Sequence, residues 1–312
     1  MFYRDTGDAD AIIVAAVSVC FGAGVMSVQK IVKLGIAKLG NIGSAPLLEF
    51  LLDERAERQD IEVKVVGSGA KITAIESQKV ASDVLTFRPD LALVVSPNAS
   101  LPGPSKAREV LRKAGVPTIV ISDGPSKKAV RELQDDGFGY IIVEADSMIG
   151  ARREFLDPTE MALFNSDLLK VLAATGVFRL LSLELDRAIA ACRNDDSPKL
   201  PRVVVDKEIA VEAARFGNEY ARSKAMAAYE IARHVAELTV EACFMVKDWV
   251  RYTRLVEAGH EMMRVAAKLA DEAREIEKNQ DILQRTPHGD TGAILSKKKL
   301  IEKPGRAKET AI

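Results

Sequence analysis

Residues 31–54 read IVKLGIAKLGNIGSAPLLEFLLDE. A short apolar run, Ile31–Ala37, gives way to a glycine-rich turn, and at Ser44 the turn gives way to apolar residues at helical spacing that continue to Glu54. That is a strand, a tight turn and a helix, the opening unit of an α/β fold. The same alternation continues outward. Further apolar runs stand at Ile61–Val66, Leu91–Val95, Thr118–Ser122 and Tyr140–Val143, and helix-like stretches at Ile75–Phe87, Ser105–Ala114 and Lys127–Asp136 lie between or beside them. Strands spaced in this way by helices build a parallel sheet, and near-continuous apolar strands suit a sheet covered on both faces.

After Gly150 the period becomes helical. Asp157-Pro158-Thr159-Glu160 combines an N-cap, a proline at N1 and an acid at N3. Helical spacing then runs to Cys192 with a break at Gly176, passes a polar connector at Asn194–Arg202, and resumes at Glu208–Phe216, Glu219–Leu238 and Leu255–Asn279. Ile282–Ile301 holds a PHGDTG turn between two short β-like runs, which predicts a small hairpin, and the tail from Glu302 is charged and expected to be mobile. The fold class is therefore α/β, a parallel-sheet Rossmann-like domain followed by a helix bundle and a small C-terminal β-hairpin segment. The expected division is 26–150 for the sheet domain, 151–280 for the bundle and 281–312 for the β segment and tail. Residues 1–25 are set apart. Ala11–Met26 is apolar but shorter than the ~20 residues a membrane span needs, and Arg4 stands against Asp5, Asp8 and Asp10 where an export signal has a basic region. The expectation is that Met26 is the start and that 1–25 is an extension.

The chain has 312 residues, 47% hydrophobic and 29% charged, with 44 Lys+Arg against 45 Asp+Glu for a net charge of -1. This excludes a disordered chain and disfavours nucleic acid as a partner, since such binders carry a basic excess. Cys20, Cys192 and Cys243 form no CxxC pair, so a zinc ribbon, a cysteine-ligated cluster and a disulfide framework are not expected, and the compartment reads as reducing and cytoplasmic. There is no HExxH, nucleophile elbow or Walker motif, so hydrolase chemistry and ATP use lack support. Redox chemistry would need an organic coenzyme.

Ligands of open α/β sheets bind at the carboxyl ends of the strands. The first such loop, Lys38 to Ala45, is close to GxGxxG, but Lys38 takes the place of the first glycine, and the next strand ends in Val66-Gly67-Ser68-Gly69 without the acid that holds a ribose. A nicotinamide coenzyme is thereby disfavoured. A glycine-rich turn at a helix start still suits an anion or a flat ligand, and equally a turn with no ligand. The third loop, Ser96 to Arg108, holds three prolines and ends in Ser105, a good N-cap, with Lys106 and Arg108 in the expected first turn. Cations there oppose the helix dipole, and an anionic partner would remove the conflict. The fourth loop, Ser122 to Lys128, repeats the pattern around Asp123 and Gly124. Arg152, Arg153 and Glu154 stand at the junction of sheet and bundle, where they would clamp carboxylates or close an ion-pair network. A lone helical His260 is more often structural than catalytic.

Taken together, GNIGSAPLLEFLLDERAERQDIEVKVVGSGAKI, SPNASLPGPSKARE, GARREFLDPTEMALFNSDLLKVLAATGVFR, KAMAAYEIA, GHEMMRVAAKLADEARE, RTPHG and LSKKKL resemble the coenzyme F420-dependent methylenetetrahydromethanopterin dehydrogenases, from about Val28 to Lys303. The resemblance implies reversible hydride transfer between reduced F420, a dissociable deazaflavin, and methenyl-tetrahydromethanopterin, giving the methylene form. It implies no bound flavin or metal, and a homo-oligomer, a hexamer built from dimers, with the active site in a cleft between segments and subunits. Such chemistry needs two rings held face to face in a dry cleft and little acid–base work. On strand-end position, Gly40, Asn41, Gly43, Ser44, Pro97, Asn98, Asp123 and Gly124 are expected on the deazaflavin side, and Arg152, Arg153, Glu154 and His260 on the pterin side. Lys106 and Arg108 are candidates for an anionic tail. Glu154 or Asp123 would stabilise the cationic pterin. The rivals are a nicotinamide-dependent dehydrogenase and a non-catalytic α/β anion-binding protein.

Overall fold

The computed structural model describes residues 30–147, 157–194 and 196–307. The expectation about the first 25 residues, and the placement of Arg152, Arg153 and Glu154, lie outside them. Six parallel strands form one sheet: β1 (Val32–Lys38), β2 (Ile61–Gly67), β3 (Leu91–Ser96), β4 (Thr118–Asp123), β5 (Gly139–Val143) and β6 (Arg202–Val205), in the order β2-β1-β3-β4-β5-β6. β3, β4 and β5 are buried at every position. Side chains alternate between the faces, as strand geometry requires. Leu91, Leu93 and Val95 enter one layer, Ala92 and Val94 the other.

One face carries α1 (Ser44–Leu52), α5 (Pro158–Thr175) and α6 (Val177–Arg193), with α8 (Glu219–Val240) and α9 (Trp249–Asn279) joining the same core. The other face carries α2 (Ala74–Leu85), α3 (Pro102–Lys113) and the short α4 (Val130–Asp135), which follows a 3₁₀ turn at Gly124–Ala129. Between β6 and α8 lies α7 (Lys207–Ala214). Side chains such as Leu93, Ile119 and Ile121 are fully buried, each stabilising the fold by roughly 1.5–3 kcal/mol. Asp157 caps α5, accepting from the Glu160 amide at 2.8 Å. Gly176 separates α5 from α6 at φ 116°, where a Cβ would lie 1.9 Å from the Ala210 carbonyl oxygen. No described helix is long and apolar enough to cross a membrane.

Two expectations need correction. The connector expected at Asn194–Arg202 ends in a strand: Arg202–Val205 pairs with β5 in parallel register, so a piece of the segment assigned to the bundle completes the sheet. And α3 starts at Pro102, with Leu101 as its N-cap, rather than after Ser105. Pro102 and Pro104 read as loop residues, yet proline is well suited to a first helical turn, whose N–H groups have no partner in the helix.

The C-terminal segment returns to the end of the sheet where β1 and β2 begin. His288 pairs with Ile294 and Arg285 with Lys297 across the PHGDTG turn, and β7 (Leu295–Ser296) pairs antiparallel with β8 (Gly305–Arg306). His288 is buried between carboxylates: Nδ1 lies 2.6 Å from Glu54 and Nε2 3.0 Å from Asp186, and its backbone N–H donates to Glu54 at 3.0 Å. Burial pulls its pKa down, but the hydrogen bonds to Asp186 and Glu54 outweigh that and hold it up at about 9. Beside it, Asp60 accepts from Arg58 at 2.9 Å and from Arg193 at 3.2 Å, and Arg55 pairs with Asp290.

Candidate active site at the strand ends

The strand order reverses between β1 and β3, because the chain moves from β1 outward to β2 and then crosses back to β3. A crevice opens at such a switch point, at the carboxyl ends of the two strands. Lys38-Leu39-Gly40-Asn41 leaves β1 there and Ser96-Pro97-Asn98 leaves β3. Gly40 adopts φ +76°, and a Cβ on it would stand 3.0 Å from Ile72 and 3.4 Å from Pro97. A side chain would fill the gap between the two loops, so glycine leaves backbone and a proline ring as the local wall. The turn is fixed by the Leu39 amide donating to Val95 at 2.8 Å and the Gly40 amide to Gly69 at 3.1 Å.

A chain of serines ties the next two strand ends together. Ser122 Oγ donates to the Ser96 carbonyl at 2.5 Å and lies 2.6 Å from Ser126 Oγ, which accepts from the Ala99 amide at 2.7 Å. Asn98 Oδ1 accepts from the Ser100 amide at 2.9 Å, so its side chain shapes the loop it sits in. The loops of β3 and β4 are thus joined, and with the β1 loop beside them Gly40, Asn41, Pro97, Asn98, Asp123 and Gly124 lie along the carboxyl end of the sheet.

Gly43 and Ser44 behave differently from the expectation of an open anion site. The start of α1 already holds an anion, the carboxylate of Asp146, just past the end of β5. The Gly43 amide donates to Asp146 at 2.5 Å, the Ser44 amide at 2.7 Å and Ser44 Oγ at 2.6 Å. Asp146 therefore satisfies the amides of α1 from a hundred residues away, in the role a local cap would otherwise fill. Asp146 was absent from the sequence reading. Its only signal was its place immediately after an apolar strand.

Asp123 ends β4 close to that carboxylate. Burial, and then the charge of Asp146, push its carboxyl well above the ordinary carboxylate range, against the hydrogen bond it accepts from the Gly124 amide at 2.5 Å. Glu144 adds a smaller push in the same direction and is itself paired with Lys127. Asp123 is thus a buried acid whose affinity for a proton is raised.

The anion-tail candidates are placed unequally. Lys106 is half-buried and bonds Glu109 at 2.9 Å. Arg108 points inward: it is almost fully buried, donates to the Ala99 carbonyl at 2.7 Å and to Glu132 at 2.9 Å, and lies over the Phe138 ring. It holds the third loop to α4, and because α3 starts earlier than expected, neither cation sits in the first turn. His260 lies on α9 against α5, with its ring 4.9 Å from Phe164 and Nδ1 3.4 Å from Glu160.

Comparisons with known proteins agree with this architecture. The family model described as methylene-5,6,7,8-tetrahydromethanopterin dehydrogenase matches residues 32–305. A protein of Archaeoglobus fulgidus named F420-dependent methylenetetrahydromethanopterin dehydrogenase is 57% identical over 274 residues, 88% of this chain and 99% of the relative. One of the same name from Methanothermobacter marburgensis is 54% identical over the same shares. A solved structure of an F420-dependent methylene-tetrahydromethanopterin dehydrogenase, in complex with methylene-tetrahydromethanopterin and coenzyme F420, superposes with a TM-score of 0.84 at 46% identity, covering 88% of this chain and 100% of its own. With the sheet, the bundle and the C-terminal hairpin all inside the matched range, the chain belongs to the methylenetetrahydromethanopterin dehydrogenase family.

Proposed function

We propose that the chain is an F420-dependent methylenetetrahydromethanopterin dehydrogenase that moves a hydride reversibly between reduced F420 and the methenyl carbon of tetrahydromethanopterin, releasing one proton per hydride in the direction that forms the methylene carrier. The observation that carries this reading is the likeness, over the full length of that chain, to a relative solved with both ligands. Gly40 supports this reading, since a flat ring at the switch point would meet backbone there rather than a side chain. When bound, the reduced deazaflavin supplies the hydride.

The chain's own part is positioning and proton handling. The serine-linked loops keep the β3 and β4 ends rigid. Asp123, with its raised affinity for a proton, is the described strand-end carboxyl suited to hold the proton released at its Oδ atoms. Lys106 remains a candidate for an anionic tail, whereas Arg108 serves the fold. Arg152, Arg153 and Glu154 stay assigned to the pterin by sequence alone, with Glu154 as the anion facing its cationic ring. The protein works in the cytoplasm as a homo-oligomer, in which a neighbouring copy helps to close the cleft.

An anaerobic assay tests this. Reduced F420 and methenyl-tetrahydromethanopterin are mixed with the protein, and deazaflavin absorbance is followed. Oxidation that requires the pterin and that NADPH cannot drive is the expected result. Oxidation driven by NADPH instead, or no turnover and no binding of either ligand, would overturn the reading.

A further inference from the structure

We propose that Tyr229 is a positioning residue for the strand-end acids: its hydroxyl locks the ends of β5 and β6 together and so fixes where Asp146 stands beside Asp123. The consequence for turnover rests on the proton-holding role of Asp123. Tyr229 lies on α8, in the KAMAAYEIA segment, and so brings the helix bundle into a site otherwise built from sheet loops.

Its side chain is fully buried, and its hydroxyl donates to the carbonyl of Val205, the last residue of β6, at 2.5 Å. Burial raises the phenol pKa, so the group stays protonated and remains a donor. The same carbonyl accepts from the Glu144 amide at 3.3 Å, one residue past the end of β5. One oxygen therefore gathers a donor from the bundle and a donor from the neighbouring strand, at the point where Val143 and Val205 are in register. The Ala145 amide faces the Tyr229 oxygen in turn. A buried polar group that loses its partner is costly, so this contact resists separation of α8 from the two strand ends.

The acids hang on the turn that follows. The Asp146 amide donates to the Val143 carbonyl at 3.3 Å, and the Ser147 amide to Ala145 at 3.1 Å. Asp123 is opposite Val143 in register, and a Cβ on Gly124 would stand 3.6 Å from the Glu144 carbonyl oxygen. The end of β4 thus rests on the same turn. Two carboxyl groups in a low-dielectric setting interact with a strength that falls with distance. The Asp146 carboxylate is tied to α1 by its own bonds with Gly43 and Ser44. Release of the Tyr229 contact frees its backbone, and the coupling to Asp123 weakens. The other charges at this end are Glu144, paired with Lys127, Arg233 of α8, which acts on Glu144, and Asp206, which acts on Tyr229.

Carbon NMR of full-length protein labelled at the aspartate carboxyl carbons tests the proposal, with the Asp123 signal identified by its loss in Asp123→Asn. The titration midpoint of Asp123 should fall by about half a pH unit or more in Tyr229→Phe, a change that keeps the ring and removes only the hydroxyl. Tyr140→Phe removes a tyrosine hydroxyl bonded to Gln134 at the opposite end of β5 and should leave the midpoint in place. Tyr229→4-aminophenylalanine, which restores a donor at the same position, should return it towards the native value. The folded-state signal is the one read, so a partly unfolded variant still reports. A midpoint unmoved in Tyr229→Phe, a midpoint moved equally by Tyr140→Phe, or an Asp123 that does not titrate while the fold persists would overturn the proposal. A moved midpoint with an unchanged pH profile of kcat would uphold it and overturn the proton-holding role of Asp123 instead.

Discussion

The two ends of the sheet treat charge in opposite ways. Where β1 and β2 begin, buried charges meet their opposites: His288 between Glu54 and Asp186, Asp60 between Arg58 and Arg193. Where β4 and β5 end, buried carboxyls meet each other and backbone amides, with Asp123 beside Asp146, and Asp146 held by Gly43 and Ser44. The first arrangement closes the fold, since it ties the C-terminal segment to residues from two distant parts of the chain. The second raises the proton affinity of a buried acid at the carboxyl end of the sheet. A buried acid shifted by a like charge at a strand end is a candidate functional position, whereas the paired charges at the other end tie elements together.

The largest effect should come from Asp146→Ala. It strips a buried charged acceptor from two amides and a hydroxyl, and urea unfolding should show a loss of about 3 kcal/mol or more, together with lost turnover. A stable variant would mean that the α1 start finds another anion, and the comparison would fail at that end.

His288→Ala comes next. It leaves two carboxylates facing each other without a cation, a change that costs about 3 kcal/mol in buried pairs, and limited proteolysis should cut first between residues 281 and 307. The same centre sets a pH dependence. The folded pKa of His288, about 9, lies above the ordinary imidazole value of 6.5, so its contribution is complete below pH 6.5 and disappears as pH rises through 9. Glu54, lowered despite burial by its hydrogen bonds with His288, acts in the opposite sense and loses its share as pH falls below its ordinary range. Stability measured against pH should decline on the alkaline side in the native protein and be flatter there in His288→Gln.

Asp123→Asn sharpens the contrast in kind. It removes an acid that pays a burial penalty when charged, so the unfolding midpoint at pH 8 should stay level or rise while kcat falls at least tenfold (about 1.4 kcal/mol). A fall in stability with intact kcat would place Asp123 among the structural charges. The smallest effect is expected for Lys106→Ala, a partly exposed cation. A severalfold rise in one KM that vanishes at high salt, with kcat unchanged, would mark a tail contact.

Five of the six strands and the long helices were legible from apolar runs and helical spacing, because those patterns are local. β6 was not, since Arg202–Val205 is short, follows a proline and carries no flanking pattern of its own. The start of α3 was misread because proline signals both a loop and a first helical turn. The strand-end positions of Gly40 and Pro97 were legible from the same apolar runs. The capping role of Asp146, the inward turn of Arg108 and the charge on His288 were not, because each depends on partners that only the folded chain brings near.

The late arrival of β6 has a consequence for synthesis. β5 is apolar and buried along its whole length, yet its outer neighbour is translated only after two complete helices have followed it. A nascent chain that has emerged through α6 therefore presents an open apolar strand edge, the kind that pairs with other chains. Aggregation during expression should concentrate on fragments ending between residues 194 and 202, and extension through Val205 should relieve it.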